Sequence, residues 1–193
     1  EWIVRDQGAM VRQIGYSPEE FAHITIKKEG GFDKAKQTLD KKEVKPSNYH
    51  PIPVKTNSAG EKYSKILNKI FINDYDFKDY DRATNIYWPG NKLGHGREDV
   101  IKFWNSLKSI LSEIKFKIEH VGYLDEPNRN PRASIRWSLE GIHSKDSKDY
   151  GKKTNSNLSF VGINHAELNP YGVIKEWVLF DEVAIWKQIL MNK

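Results

Sequence analysis

Glu176-Trp177-Val178-Leu179-Phe180-Asp181-Glu182-Val183-Ala184-Ile185-Trp186-Lys187-Gln188-Ile189 closes the chain, and the same pattern opens it. Glu1-Trp2-Ile3-Val4-Arg5-Asp6-Gln7-Gly8-Ala9-Met10-Val11-Arg12-Gln13-Ile14 lies 175 positions (176 − 1) upstream. Glu, Trp, Asp, Ala, Gln and Ile recur at equivalent places, and Ile3/Val178, Val4/Leu179, Met10/Ile185 and Arg12/Lys187 keep their chemical type. A repeat of this kind is settled before any other feature, because it sets the domain count. It predicts that residues 1–16 are the closing strand and helix of one domain. Residues 61–193 then form a second, complete domain of the same type.

Between the two copies, Ser17-Pro18-Glu19-Glu20 has the residues of a helix start: a serine cap, proline in the first turn and glutamate three residues after the cap. The helix runs to about Lys28, where Gly30-Gly31 interrupts it. Residues 41–60 are polar and carry Pro46, Pro51 and Pro53, so residues 17–60 read as a helix followed by a proline-containing linker.

In the complete domain, Tyr63, Ile66, Leu67, Ile70 and Phe71 fall on one helical face. A second helix follows Gly94-His95-Gly96 and turns Val100, Ile101, Phe103, Trp104, Leu107, Ile110 and Leu111 inward. Alternation then predicts strands at Ile114–Tyr123, Ala133–His143, Leu158–Leu168 and Val173–Asp181, and a last helix from Glu182. Helices followed by a meander of strands give an α+β fold.

Composition narrows the function. The 193 residues are 38% hydrophobic and 30% charged, and no apolar run approaches the length of a membrane span. Membrane insertion is not expected; no cleavable signal pattern occurs, but a chain that begins inside a repeat leaves its true N-terminus open, and without cysteine there is no disulfide framework or thiolate metal site. Both fit a cytoplasmic protein. The net charge of +5 comes from dispersed lysines, whereas a nucleic-acid groove wants basic residues clustered with aromatics. Six histidines show no HExxH spacing, Gly90–Gly96 lacks a phosphate-loop ending, and no G-x-S-x-G elbow occurs.

The order of these pieces resembles the SnoaL-like polyketide cyclases of the nuclear-transport-factor-2-like superfamily. The residues that carry the resemblance are the aromatic-Pro-Gly stretch at Tyr87-Trp88-Pro89-Gly90, His95-Gly96 before a helix, Arg136-Trp137…Gly141-Ile142-His143, and Glu-Trp-x-x-x-Asp before the last helix. It covers roughly residues 61–193. It implies a cone-shaped half-barrel, a curved antiparallel sheet wrapped around N-terminal helices, with an apolar pocket at the open end. It also implies an intramolecular aldol closure of a polyketide-like ester by acid/base catalysis without metal or organic cofactor. Homodimerisation through the sheet, or packing against the preceding repeat, is the association it suggests. The aspartate that performs the chemistry corresponds to Asp181, and a pocket histidine to His165.

The residues themselves leave alternatives open. Strand alternation puts Trp177, Leu179 and Asp181 on one side, and a carboxylate in apolar surroundings becomes a better base. Asp181 equally has the position of a helix N-cap. Whether Asp181 is reachable within a pocket or tied to the amides of Val183 and Ala184 separates an enzyme from a non-catalytic module, the tied aspartate with an aromatic-filled cavity favouring the module. His165 shares a face with Val161 and Ile163 and is read either as a pocket group or as a hydrogen-bonded core residue. His95 rims the pocket or shapes a turn, and Arg136 holds an acidic substrate group or pairs with Glu176. Arg136 and His143 have opposite parity and cannot both point inward. Tyr87, Trp88, Trp104, Trp137 and Trp177 read as core residues, of which one or two lining a pocket would suit a small apolar or aromatic ligand. A non-catalytic ligand-binding or assembly module is the rival to the enzyme.

Overall fold

The computed structural model describes residues 4–40, 58–72, 75 and 77–192. Three helices come first: α1 (Gln7–Gln13), α2 (Pro18–Lys28) and α3 (Phe32–Asp40). Then follow α4 (Ser58–Ile72), a short 3-10 turn (Phe77–Asp79), β1 (Tyr80–Trp88), β2 (Lys92–His95) and α5 (Gly96–Lys108). The chain ends with β3 (Leu111–Leu124), β4 (Arg132–His143), β5 (Asn157–Asn169), β6 (Gly172–Phe180) and α6 (Glu182–Met191).

Local chemistry explains the helix starts. Ser17 accepts from the Glu20 amide at 3.1 Å while its own amide donates to the Glu20 carboxylate at 2.8 Å, so the expected capping box forms. At α5 the roles run one way only. The His95 side chain makes no cap bond, and Asp99 in the first turn accepts from the His95 amide at 2.8 Å. Asp6 and Asp181 occupy the same place in their two copies, and each caps its helix: Asp6 accepts from Ala9, Asp181 from Val183 and Ala184.

The six strands form one open sheet in the order β2-β1-β6-β5-β4-β3. Strands β3 to β6 make the expected antiparallel meander. The sheet is mixed rather than wholly antiparallel, because β1 runs parallel to β6. A parallel neighbour requires a long crossover, and α5 with β3 to β5 supplies it. Lys92–His95, which reads as loop, pairs as β2 because the Pro89-Gly90-Asn91 turn puts Gly90 and Asn91 at positive φ and folds the chain back on β1.

One face of the sheet meets the helices: α5 lies on β1, α4 on β3 and β4, and α6 on β5. Its inward residues include Ile86 and Trp88 of β1, Trp137 and Leu139 of β4, Phe160 of β5, and Val178 and Phe180 of β6, all buried. Gly162 faces the Trp137 ring, and any side chain there would overlap the indole. Residues 4–40 join the same body. Helix α2 packs along α6, α1 touches both, and Val11, Ala22, Ile26 and Ala35 enter the core cluster. Val4–Asp6 are not a strand; the remainder of the strand expected at 1–5, and the linker at 41–57, lie outside the described residues.

Candidate functional site

Alternation on β6 buries Glu176, Val178 and Phe180 and turns Lys175, Trp177 and Leu179 outward. The inward carboxylate is completely buried and gathers partners from four elements. Tyr63 of α4 donates to Glu176 Oε1 at 2.5 Å, and Asn164 of β5 donates to the same oxygen at 3.0 Å. Tyr80 of β1 donates to Oε2 at 2.9 Å, and Trp104 of α5 approaches it at 3.4 Å. Asn164 also donates to Tyr63 Oη at 2.8 Å and accepts from Trp137 Nε1 at 2.7 Å. A buried charge is tolerated only when its acceptor positions are filled, and here each oxygen has two donors.

Burial pushes the Glu176 carboxyl above its ordinary range, against the opposite pull of the bonds from Tyr63, Tyr80, Trp104 and Asn164. The same burial, with the Glu176 charge beside them, raises both phenols well above the usual tyrosine value. A carboxyl of raised pKa between two phenols can accept a proton, hold it, and return it. Tyr75 packs edge-on to Tyr80 at 6.2 Å and continues the aromatic wall.

The residues singled out from the sequence are distributed differently. Asp181 accepts from the amides of Val183 at 2.9 Å and Ala184 at 3.2 Å, which is the cap geometry. Burial still raises its carboxyl, helped by the nearby charges of Asp6 and Glu182. Trp177 and His165 sit opposite each other on β6 and β5, on the outer face. They line an open groove of about 780 Å³ with Tyr123, Leu124, Arg132 and Glu167. Tyr87 stacks on Trp177 with centroids 5.4 Å apart and planes 7° from parallel. The side that Trp177 and Leu179 share is therefore not the core side of the sheet.

Arg136 is also outward. It faces away from the side of the sheet on which Glu176 is buried, and its charge lowers the nearby Glu119 carboxyl, after the Lys117 and Ser138 bonds to that group. His143 is buried on the inner face with Nδ1 3.2 Å from Thr154 Oγ1, so the two residues do point opposite ways. His95 is exposed and bonds Asn85 Oδ1 at 2.9 Å. Trp88 packs between Phe103, Trp104 and Phe180 as part of the core. Trp137 is likewise in the core, but its Nε1–H orients Asn164 and so reaches the carboxyl network.

Glu176, Tyr63, Tyr80, Asn164 and Trp104 were not recognised as a set from the sequence. A usable signal was there: Leu158, Phe160, Gly162, Asn164, Ala166 and Leu168 are the more apolar face of β5, and the polar member of that face marks the interior network. Among the described residues, no group of three or more His, Asp or Glu side chains is placed to hold a metal ion. Among the described residues, no helix is long and apolar enough to cross a membrane.

No family model matches the chain, and no curated protein matches it. Solved structures do. A protein from Shewanella putrefaciens CN-32, provisionally described as a SnoaL-like polyketide cyclase, superposes with a TM-score of 0.56 at 15% identity, over 71% of this chain and 88% of that one. A protein from Jannaschia sp. CCS1 with the same provisional description gives 0.54 at 12% identity, over 69% and 95%. An LEH-like epoxide hydrolase from M. tuberculosis gives 0.51 at 13% identity, over 69% and 90%. The chain therefore shares the α+β fold of these structures, an open sheet packed against helices. At these identities the likeness is one of backbone, and one backbone hosts many chemistries.

Proposed function

We propose that the chain is a SnoaL-like enzyme that moves a proton on a small carbonyl or polyketide-like compound, with Glu176 as the acid/base group. The observation that carries this reading is the buried Glu176 carboxyl, raised by burial and held between the Tyr63 and Tyr80 phenols. Abstraction of a proton next to a carbonyl needs a poorly solvated carboxylate within hydrogen-bond reach. The developing enolate oxygen needs a donor, and a phenol supplies it by turning its single O–H away from Glu176 once that carboxyl has taken the proton. No step in this scheme calls for a metal or an organic cofactor. A substrate has to displace one existing donor, and the 3.4 Å Trp104 contact is the least costly to give up. Asp181, tied to two amides, keeps the role of cap.

The rival reading, a non-catalytic binding module, rests on a different observation. The outer groove offers Trp177, Tyr123 and Leu124 as apolar platforms, flanked by Arg132 and Glu167. In that case Glu176 only ties four elements together, and a flat ligand rests against the outer sheet.

The test follows exchange of α-protons for deuterium in a panel of β-keto esters by NMR, which needs no knowledge of the natural substrate. The expected result is acceleration by the native chain, a loss of about 10²–10⁴-fold in Glu176→Gln, and retention in Asp181→Asn. Circular dichroism establishes that both variants are folded. Exchange that survives Glu176→Gln removes the proposed role, and no acceleration at all leaves the binding module.

A further inference from the structure

Helices α1 and α6 are the same element in sequence and differ in what covers them. In α6, Ile185 and Ile189 are both 0% exposed. Their counterparts in α1, Met10 and Ile14, are 60% and 66% exposed. The two lie four positions apart and so form one apolar stripe. This stripe is not the side by which α1 attaches to the domain. At 100° per residue, Gly8, Val11 and Arg12 centre about a third of a turn away. There Val11 is buried in the core, and Arg12 pairs with the buried Glu182 at 2.6 Å. Gly8 and Gly90 leave the room for that ion pair, because a Cβ at either position would overlap Arg12 or Glu182. Asp6 adds a fourth tie by accepting from the Gly90 amide at 2.8 Å while it caps α1.

We propose that α1 is a shared helix between two domains of the same fold. Its Gly8–Val11–Arg12 face belongs to the domain described above, and its Met10–Ile14 face closes the core of a second SnoaL-like domain that precedes it in the polypeptide. The occupant is specified by the repeat. Met10 and Ile14 stand where Ile185 and Ile189 stand, and in the copy that is complete those positions face only protein. The arrangement fixes the orientation of the two domains without a flexible joint, since one rigid helix carries contacts to both. It is independent of the role given to Glu176.

The test begins with the intact mass and N-terminal sequence of the native polypeptide. The expected result is a preceding segment about as long as residues 58–175 with the same alternation of helices and strands. Met10→Asp combined with Ile14→Asp is then introduced into that two-domain chain. The upstream domain should lose its thermal transition or have it lowered by about 10 °C. The same pair in the 193-residue chain should leave its melting unchanged, which excludes general damage to α1. A native polypeptide without such a domain overturns the proposal, and so does a two-domain chain whose melting ignores the substitutions.

Discussion

The two faces of β6 carry opposite surprises. Inward, Glu176 is a fully buried charge-bearing side chain; outward, Trp177 is 39% exposed, although it is the larger and more apolar residue. The interior tolerates the carboxyl because Tyr63, Tyr80, Asn164 and Trp104 replace its water. The exterior tolerates the indole because Tyr87 covers one of its faces. Polarity therefore misleads on this strand about which side is inside, and the count of available partners does not.

The sharpest way to break this contrast is truncation on each side. Glu176→Ala strands three or four buried donors and should cost about 3–5 kcal/mol in chemical denaturation. Trp177→Ala should cost about 1 kcal/mol or less, and equal losses would erase the distinction between the faces. Gly162→Ala pushes on the Trp137 indole that orients Asn164, and should cost about 1–3 kcal/mol with a change in tryptophan fluorescence. An unchanged midpoint would mean that the indole has room to move.

Protonation sharpens the same point. A carboxyl whose pKa is raised by folding binds its proton more tightly in the native state, so its contribution is full below the unfolded value and is lost as pH rises through the folded one. Glu176 and Asp181 are both of this kind. Stability should fall as pH rises past the ordinary carboxylate range, and Glu176→Gln should flatten that fall while leaving the part due to Asp181. Asp181→Ala should cost about 1 kcal/mol in chemical denaturation, the loss of a cap at α6.

Much of the fold was legible because it rests on local rules. The Ser17–Glu20 capping box, the helical face of Tyr63 to Phe71 and the alternation of β3 to β6 each follow from spacing alone. The parallel pairing of β1 with β6 is a long-range contact and has no local signature. The site was less legible for a related reason. Alternation shows that Trp177 and His165 share a side with their neighbours, but which side meets the helices depends on tertiary packing. Asp181 drew attention at a strand end, where cap and catalytic carboxylate look alike. Glu176 did not, because its partners Tyr63 and Tyr80 lie 113 and 96 positions away.

The most direct test of the account is the titration of the Glu176 side-chain carboxyl by ¹³C NMR, assigned by its disappearance in Glu176→Gln. The account predicts that this carboxyl stays protonated at pH values where the exposed glutamates have already ionised. Ionisation of Glu176 together with those surface glutamates would contradict it.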